Sequence, residues 1–235
     1  MVWEPKIQLS YSSADAKRLL IFLLAFETLL VLSYCVVHIL APDLKWGPIK
    51  LFVDLNREPA IPTWFSTVQL FTISVLLLFL ARASKQLRKY LIVFGLGFMF
   101  LSMDEAAVIH EKIIDSTKRL DWQWLLSLTF GGSHKAWMIP YLVIALIVVL
   151  ICYRFFILAW QSFRQEALIV AAGLAIFGVG GIGLELLGFY FEDHPSETPY
   201  AWAVAGEEFL EMAGMTVVLY GTLLFGIKIQ SDSFG

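Results

Sequence analysis

Apolar residues run through this chain in six long blocks separated by polar stretches, at approximately 19–41, 62–81, 90–110, 137–159, 167–191 and 201–227. A helix crosses the hydrocarbon core of a bilayer with roughly 20 mostly apolar residues, so each block is long enough to span. The blocks are too long, and alternate too little in polarity, for the strands of a membrane barrel. The pattern predicts an all-α membrane protein, a bundle of about six transmembrane helices forming a single domain over residues 1–235. The first block follows eighteen polar and mixed residues and is too long for the core of a cleavable signal, so it is expected to persist as the first span. Pro62 stands at the start of the second block, where proline suits the first turn of a helix.

Composition agrees with lipid as the solvent. The chain is 59% hydrophobic and 16% charged, against about 45–50% and about 25% in soluble domains. Disorder is excluded by the apolar and aromatic content. A disulfide scaffold is excluded by a count of two cysteines, Cys35 and Cys152, both in apolar blocks. A net charge of -3 without a basic stretch argues against nucleic acid as a partner. The bases also set an expected orientation. With six spans both ends lie on one side. That side takes Lys6, Lys17, Arg18, Arg82, Lys85, Arg88, Lys89, Arg154, Arg164 and Lys228, leaving seven of the 17 for the other. The bias is sharpest in the short loop from Arg82 to Lys89. The positive-inside rule then places both termini in the cytoplasm.

The acids do not follow the bases. Glu27, Asp104, Glu105, Glu185, Glu207, Glu208 and Glu211 all fall inside the blocks, where the one base is Arg154, near a block end. An ionised Asp in mid-span costs about 2.5–3.5 kcal/mol on insertion scales. Without intramembrane bases these groups cannot form a set of buried salt bridges. They must be protonated, hydrated or bound to a cation. At a rise of about 1.5 Å per residue, Glu185, Glu208, Asp104 and Glu105 each lie roughly 9–10 Å below the outer surface, and Gln69 sits at a similar depth. Glu27 lies nearer the inner half and shares a helix face with Tyr34 and His38.

Glu207, Glu208 and Glu211 occupy an arc of about 100° on one helix. The Glu208–Glu211 spacing puts two carboxylates on one face, a geometry suited to one metal ion. With Asp104, Glu105, His110 and Glu111 the set mixes oxygen and nitrogen donors, which suits iron, manganese or zinc better than a calcium cage. No Glu-x-x-His of the diiron bundles occurs in the chain. Glu185 and Glu207 are the candidates for a catalytic base beside the metal. Glu27, His38 and Gln69 form a secondary polar or relay set. The glycines of the fifth block, Gly173, Gly178, Gly180, Gly181, Gly183 and Gly188, allow close helix approach around Glu185.

Three stretches carry a resemblance: Pro62-Thr63-Trp64-Phe65-Ser66, then Asp104-Glu105 with His110-Glu111, then Glu207-Glu208-Phe209-Leu210-Glu211. Together they resemble a widespread group of bacterial polytopic membrane proteins of no known activity. The resemblance implies a bacterial inner membrane and brings no reaction with it. From the residues, the leading expectation is a metal-dependent membrane enzyme acting on a lipid or small amphipathic substrate, its site facing the outer side. The alternative is a cation- or proton-coupled transporter, with Glu27 as a second station. A third reading is a structural membrane subunit whose buried acids are neutral.

Overall fold

The computed structural model describes residues 11–41, 43, 45, 47–57, 60–109, 112, 138–185 and 197–232. These residues are helical and contain no strand. Helix α1 spans Ser13–Tyr34 and continues as a π-helical segment, Cys35–Leu40. The short α2 is Pro48–Phe52, α3 is Ile61–Ala83 and α4 is Arg88–Ala107. Next come α5, Met138–Ile151, and α6, Tyr153–Ser162. Helix α7, Arg164–Gly178, also continues as a π-helical segment, Val179–Leu184. The last helix, α8, runs over Glu197–Asp232.

Five helices are long and apolar enough to cross a membrane: Ser13–Leu40, Ile61–Ala83, Arg88–Ala107, Arg164–Leu184 and Thr198–Gln230. The fourth apolar block departs from the single span expected over 137–159. It forms two helices that meet at 62° around Cys152, and a sixth span exists only if the pair is counted as one. On α5, Leu142, Ile144, Leu146, Leu150 and Ile151 are all more than half exposed, as a lipid-facing helix requires.

Local sequence explains the helix ends. Ser12 caps α1: its hydroxyl accepts the Asp15 N–H at 3.2 Å, and the Asp15 carboxylate accepts the Ser12 N–H at 3.2 Å. Pro62 lies in the first turn of α3, as its position predicts. Helix α4 stops earlier than the expected residue 110, because Val108 takes a left-handed conformation with φ 54°. A β-branched residue there costs about 1–2 kcal/mol. The turn comes one helical turn after Asp104 and Glu105, so backbone strain is held beside acidic side chains.

Helix α8 is the axis of the bundle and packs against α1, α3 and α7, while α3 pairs with α4. The Tyr11 hydroxyl donates to Leu223 O at 2.9 Å. That contact brings the start of α1 to the last turns of α8 and defines a terminal end of the bundle. The opposite end is the loop end. Glycine permits the closest crossing. A Cβ on Gly214 of α8 would lie 2.5 Å from Phe177 N and 2.7 Å from Gly173 O, so the backbones of α7 and α8 touch.

Two apolar clusters fill the interior. Toward the terminal end lie Ala16, Leu70, Ile73, Leu77, Leu80, Leu91, Met215, Val218, Leu219 and Leu223. Toward the loop end lie Leu30, Tyr34, Cys35, Leu55, Phe65, Val204, Ala205 and Met212. The α3–α4 pair is also hydrogen-bonded. Ser74, fully buried, donates from its hydroxyl to Gly95 O at 2.7 Å, and Ser102 donates to Thr67 O at 2.9 Å. Replacing Ser74 by Ala is expected to lower stability by about 0.6–1.7 kcal/mol, the scale of an interhelical hydrogen bond in a membrane protein. Thermal unfolding in detergent checks this, and a melting temperature equal to that of the wild type would show that the bond contributes nothing.

Candidate functional site

The acids of α8 lie at the loop end, between the two π-helical segments. Inserted π-turns widen a helix and re-aim its side chains, and they recur at functional sites. The π-helical segment of α7 carries Gly180, Gly181 and Gly183. A Cβ on Gly180 would lie 2.9 Å from Glu207 O and 3.0 Å from Glu211 Cγ, and one on Gly181 would lie 2.7 Å from Glu211 Oε1. The Glu211 side chain therefore runs along bare backbone where any other residue would collide with it. Glu105 of α4, Glu185 at the end of α7 and Glu207 of α8 all lie within electrostatic reach of Glu211. Glu211 thus feels three other carboxylates, one on its own helix and two on α4 and α7.

Other members of the expected set face elsewhere. Asp104 is 7% exposed and faces the Tyr141 hydroxyl of α5, whose ring lies 6.1 Å from that of Phe100. Glu208 points to another side of α8. It lies within reach of Tyr34, as do Asp54 and Tyr200. The Tyr34 ring stacks on His38 at 4.6 Å and 19°, and His38 Nε2 lies 3.1 Å from Lys50 O, its hydrogen-bond partner. The Tyr200 hydroxyl donates to Asn56 Oδ1 at 3.4 Å. The arc of about 100° on α8 is wide enough to divide its acids between two neighbourhoods.

Among the described residues, no group of three or more His, Cys, Asp or Glu side chains is arranged to hold a metal ion. His110 and Glu111, two of the expected ligands, lie outside the described residues. The described acids near Glu211 supply oxygen donors alone.

A second polar group lies deeper. Glu27 is fully buried and Gln69 is 3% exposed. Gln69 Nε2 donates to Glu27 Oε1 at 2.9 Å and to Thr216 Oγ1 at 2.6 Å, and the Thr216 hydroxyl donates to Glu27 Oε1. Gln69, grouped by depth with the outer acids, is thus bonded to Glu27 instead. Helices α1, α3 and α8 each contribute one member of this triad. Sequence reading finds Glu27 and Gln69 and misses Thr216. A threonine in a span usually bonds back to its own helix. Thr28, Thr72 and Thr222 do so here, to Leu24 O, Val68 O and Val218 O.

Residues 19–225 match the profile of a domain of unknown function, DUF8692. No curated protein and no solved structure matches the chain. The match covers most of the chain and all the acids of both polar groups, so the chain belongs to the DUF8692 family.

Proposed function

We propose that this protein is a bacterial inner-membrane enzyme whose one-sided acidic site binds a divalent cation and acts on a lipid or small amphipathic substrate. Both termini lie in the cytoplasm in this reading, and the site faces the outer side. The observation that carries it is the Glu211 side chain, which runs along the bare backbone of Gly180 and Gly181 within electrostatic reach of Glu105, Glu185 and Glu207. Carboxylates within electrostatic reach of one another repel, and a cation between them relieves that repulsion. Glu211 and Glu105 are the proposed cation holders, with His110 and Glu111 from the stretch that follows α4. Glu185 and Glu207 stand beside them as base candidates. A bound divalent cation would activate water at that place. A lipid-facing α5 beside Asp104 offers a lateral approach for an amphipathic substrate.

Transport is the weaker reading. A conducting route needs polar groups continuing past Glu27 toward the terminal end, and Ile73, Leu77, Val218 and Leu219 occupy that region.

Elemental analysis of the purified protein tests the proposal. Near-stoichiometric divalent metal is expected in the wild type and loss of most of it in Glu211→Gln. Gly181→Ala should weaken retention while preserving the fold, because its new methyl displaces the flexible end of Glu211 rather than backbone. Absence of metal from a folded wild type, or metal unaffected by Glu211→Gln, sinks the metal-dependent reading. Cation uptake into sealed liposomes that depends on Glu27 would favour transport instead.

A further inference from the structure

The hydrogen bonds of the Glu27–Gln69–Thr216 triad do not balance. Both amide hydrogens of Gln69 are spent: Nε2 has Glu27 Oε1 at 2.9 Å and Thr216 Oγ1 at 2.6 Å as its near acceptors, and Met212 O at 3.5 Å as a third. The single hydroxyl hydrogen of Thr216 goes to Glu27 Oε1 as well. Two acceptors remain buried with no partner, Glu27 Oε2 and Gln69 Oε1. Every donor in the triad is spent and two oxygens are left over. Buried oxygens in that state are costly, and native structures almost always supply what they lack.

Three occupants could supply it. A water molecule brings two donors but leaves a full carboxylate charge in a site where α1, α3 and α8 present no base. An alkali ion brings charge but needs a full shell of oxygens, and two are unassigned here. A proton brings both the donor and the neutralisation. On Glu27 Oε2 it converts an acceptor into an O–H, and Gln69 Oε1 is the unmatched acceptor left for that hydrogen. The flanking elements carry no charged competitor. Around the triad, α3 presents Ser66 and Ile73, and α8 presents Met212 and Met215. Glu211 is directed to the glycines of α7 and Glu208 toward Tyr34.

We propose that the Glu27–Gln69–Thr216 triad is a binding site for a single resident proton, which clamps α1 and α3 to α8 as a neutral hydrogen-bonded unit. Its enclosure makes the proton resident. Along each of the three helices the triad lies between the two apolar clusters: Ala16 and Leu30 bracket Glu27, Phe65 and Ile73 bracket Gln69, and Met212 and Leu219 bracket Thr216. Among the described residues, no charged residue lies between it and either apolar cluster along these helices; the nearest buried polar groups are the hydroxyls of Ser66 and Ser74 on α3. The site is therefore distinct from the acids around Glu211, and it holds whether or not those acids bind metal.

Infrared difference spectroscopy of the purified protein in detergent reads this directly. Subtracting Glu27→Gln from wild type should isolate a carbonyl stretch of a hydrogen-bonded, protonated carboxyl group, lost in the variant. The same band should shift slowly after transfer to deuterated water. Glu27→Gln should fold and melt close to wild type, because its amide supplies an N–H where the proton sat. Should that variant fail to fold, Thr216→Val serves in its place. It removes the hydroxyl that bonds Glu27 Oε1 and should move the band to higher frequency. A flat difference spectrum in the protonated-carboxyl region, in the usable variant, overturns the proposal and leaves an ionised carboxylate with water. Immediate exchange overturns residency. A band that disappears on adding sodium overturns the choice of proton over alkali ion.

Discussion

Gly214→Ala is expected to be the most damaging single-methyl change in the protein. The new Cβ would lie 2.5 Å from Phe177 N, 2.7 Å from Gly173 O and 2.9 Å from Phe177 Cα. All three are backbone atoms of α7, so no side chain can swing aside. The α7–α8 crossing must open, and with it the packing that holds Glu211 against Gly180 and Gly181. Overpacking a tight interior typically costs about 1–3 kcal/mol, and a backbone-to-backbone clash belongs at the top of that range. Gly97→Ala is the matched control, since a Cβ there meets nothing within 4 Å. Its effect should be neutral or favourable by up to about 1 kcal/mol, the helix-propensity difference. The check is the melting temperature and monodisperse yield of both variants in one detergent. Equal behaviour would mean that the two helices do not cross so closely.

Glu27→Ala should be at least as severe, and for a different reason. Deleting the carboxyl removes the acceptor of both Gln69 Nε2 and the Thr216 hydroxyl, and it empties a fully buried volume at the junction of three helices. Two interhelical hydrogen bonds in a membrane protein amount to about 1–2 kcal/mol, and a cavity of this size adds about 2–3 kcal/mol. A loss of about 3–5 kcal/mol follows, against little for Glu27→Gln. Unfolding in a denaturing detergent titration, wild type against both variants, measures the difference. If Ala and Gln at this position behave alike, the carboxyl is not a structural junction. The comparison also separates the polar groups, because Glu27→Ala should cost stability while Glu211→Gln should leave it largely unchanged.

Much of the architecture was legible from periodicity alone. Burying backbone amides in lipid leaves few choices besides helices, and block length sets how many cross. Departures arise where hydropathy is blind. The block around Cys152 has the length and composition of one continuous span, with Arg154 its only charge, yet the chain turns by 62° there. Hydropathy records how greasy a segment is and not whether its axis is straight. Val108 ends α4 three residues early by adopting a conformation its side chain disfavours, which no propensity would foretell.

The polar residues divide in the same way. The sequence by itself determined that seven acids lie in apolar blocks with almost no bases beside them, because charge and hydropathy are properties of the residues. It also placed Asp104, Glu105, Glu185 and Glu208 at a similar depth, because depth follows from counting residues along a helix. Tertiary structure alone decided which acids meet. Azimuth depends on how each helix is rotated against its neighbours, and a turn of about 100° sends Glu208 toward Tyr34 while Glu207 stays with Glu211. It also decided that Thr216 bonds across helices where Thr28, Thr72 and Thr222 bond within their own. A hydroxyl in lipid takes whichever acceptor lies nearest. The buried carboxyl group that claims Thr216 belongs to a residue 189 positions away in sequence, so only folding brings the two together.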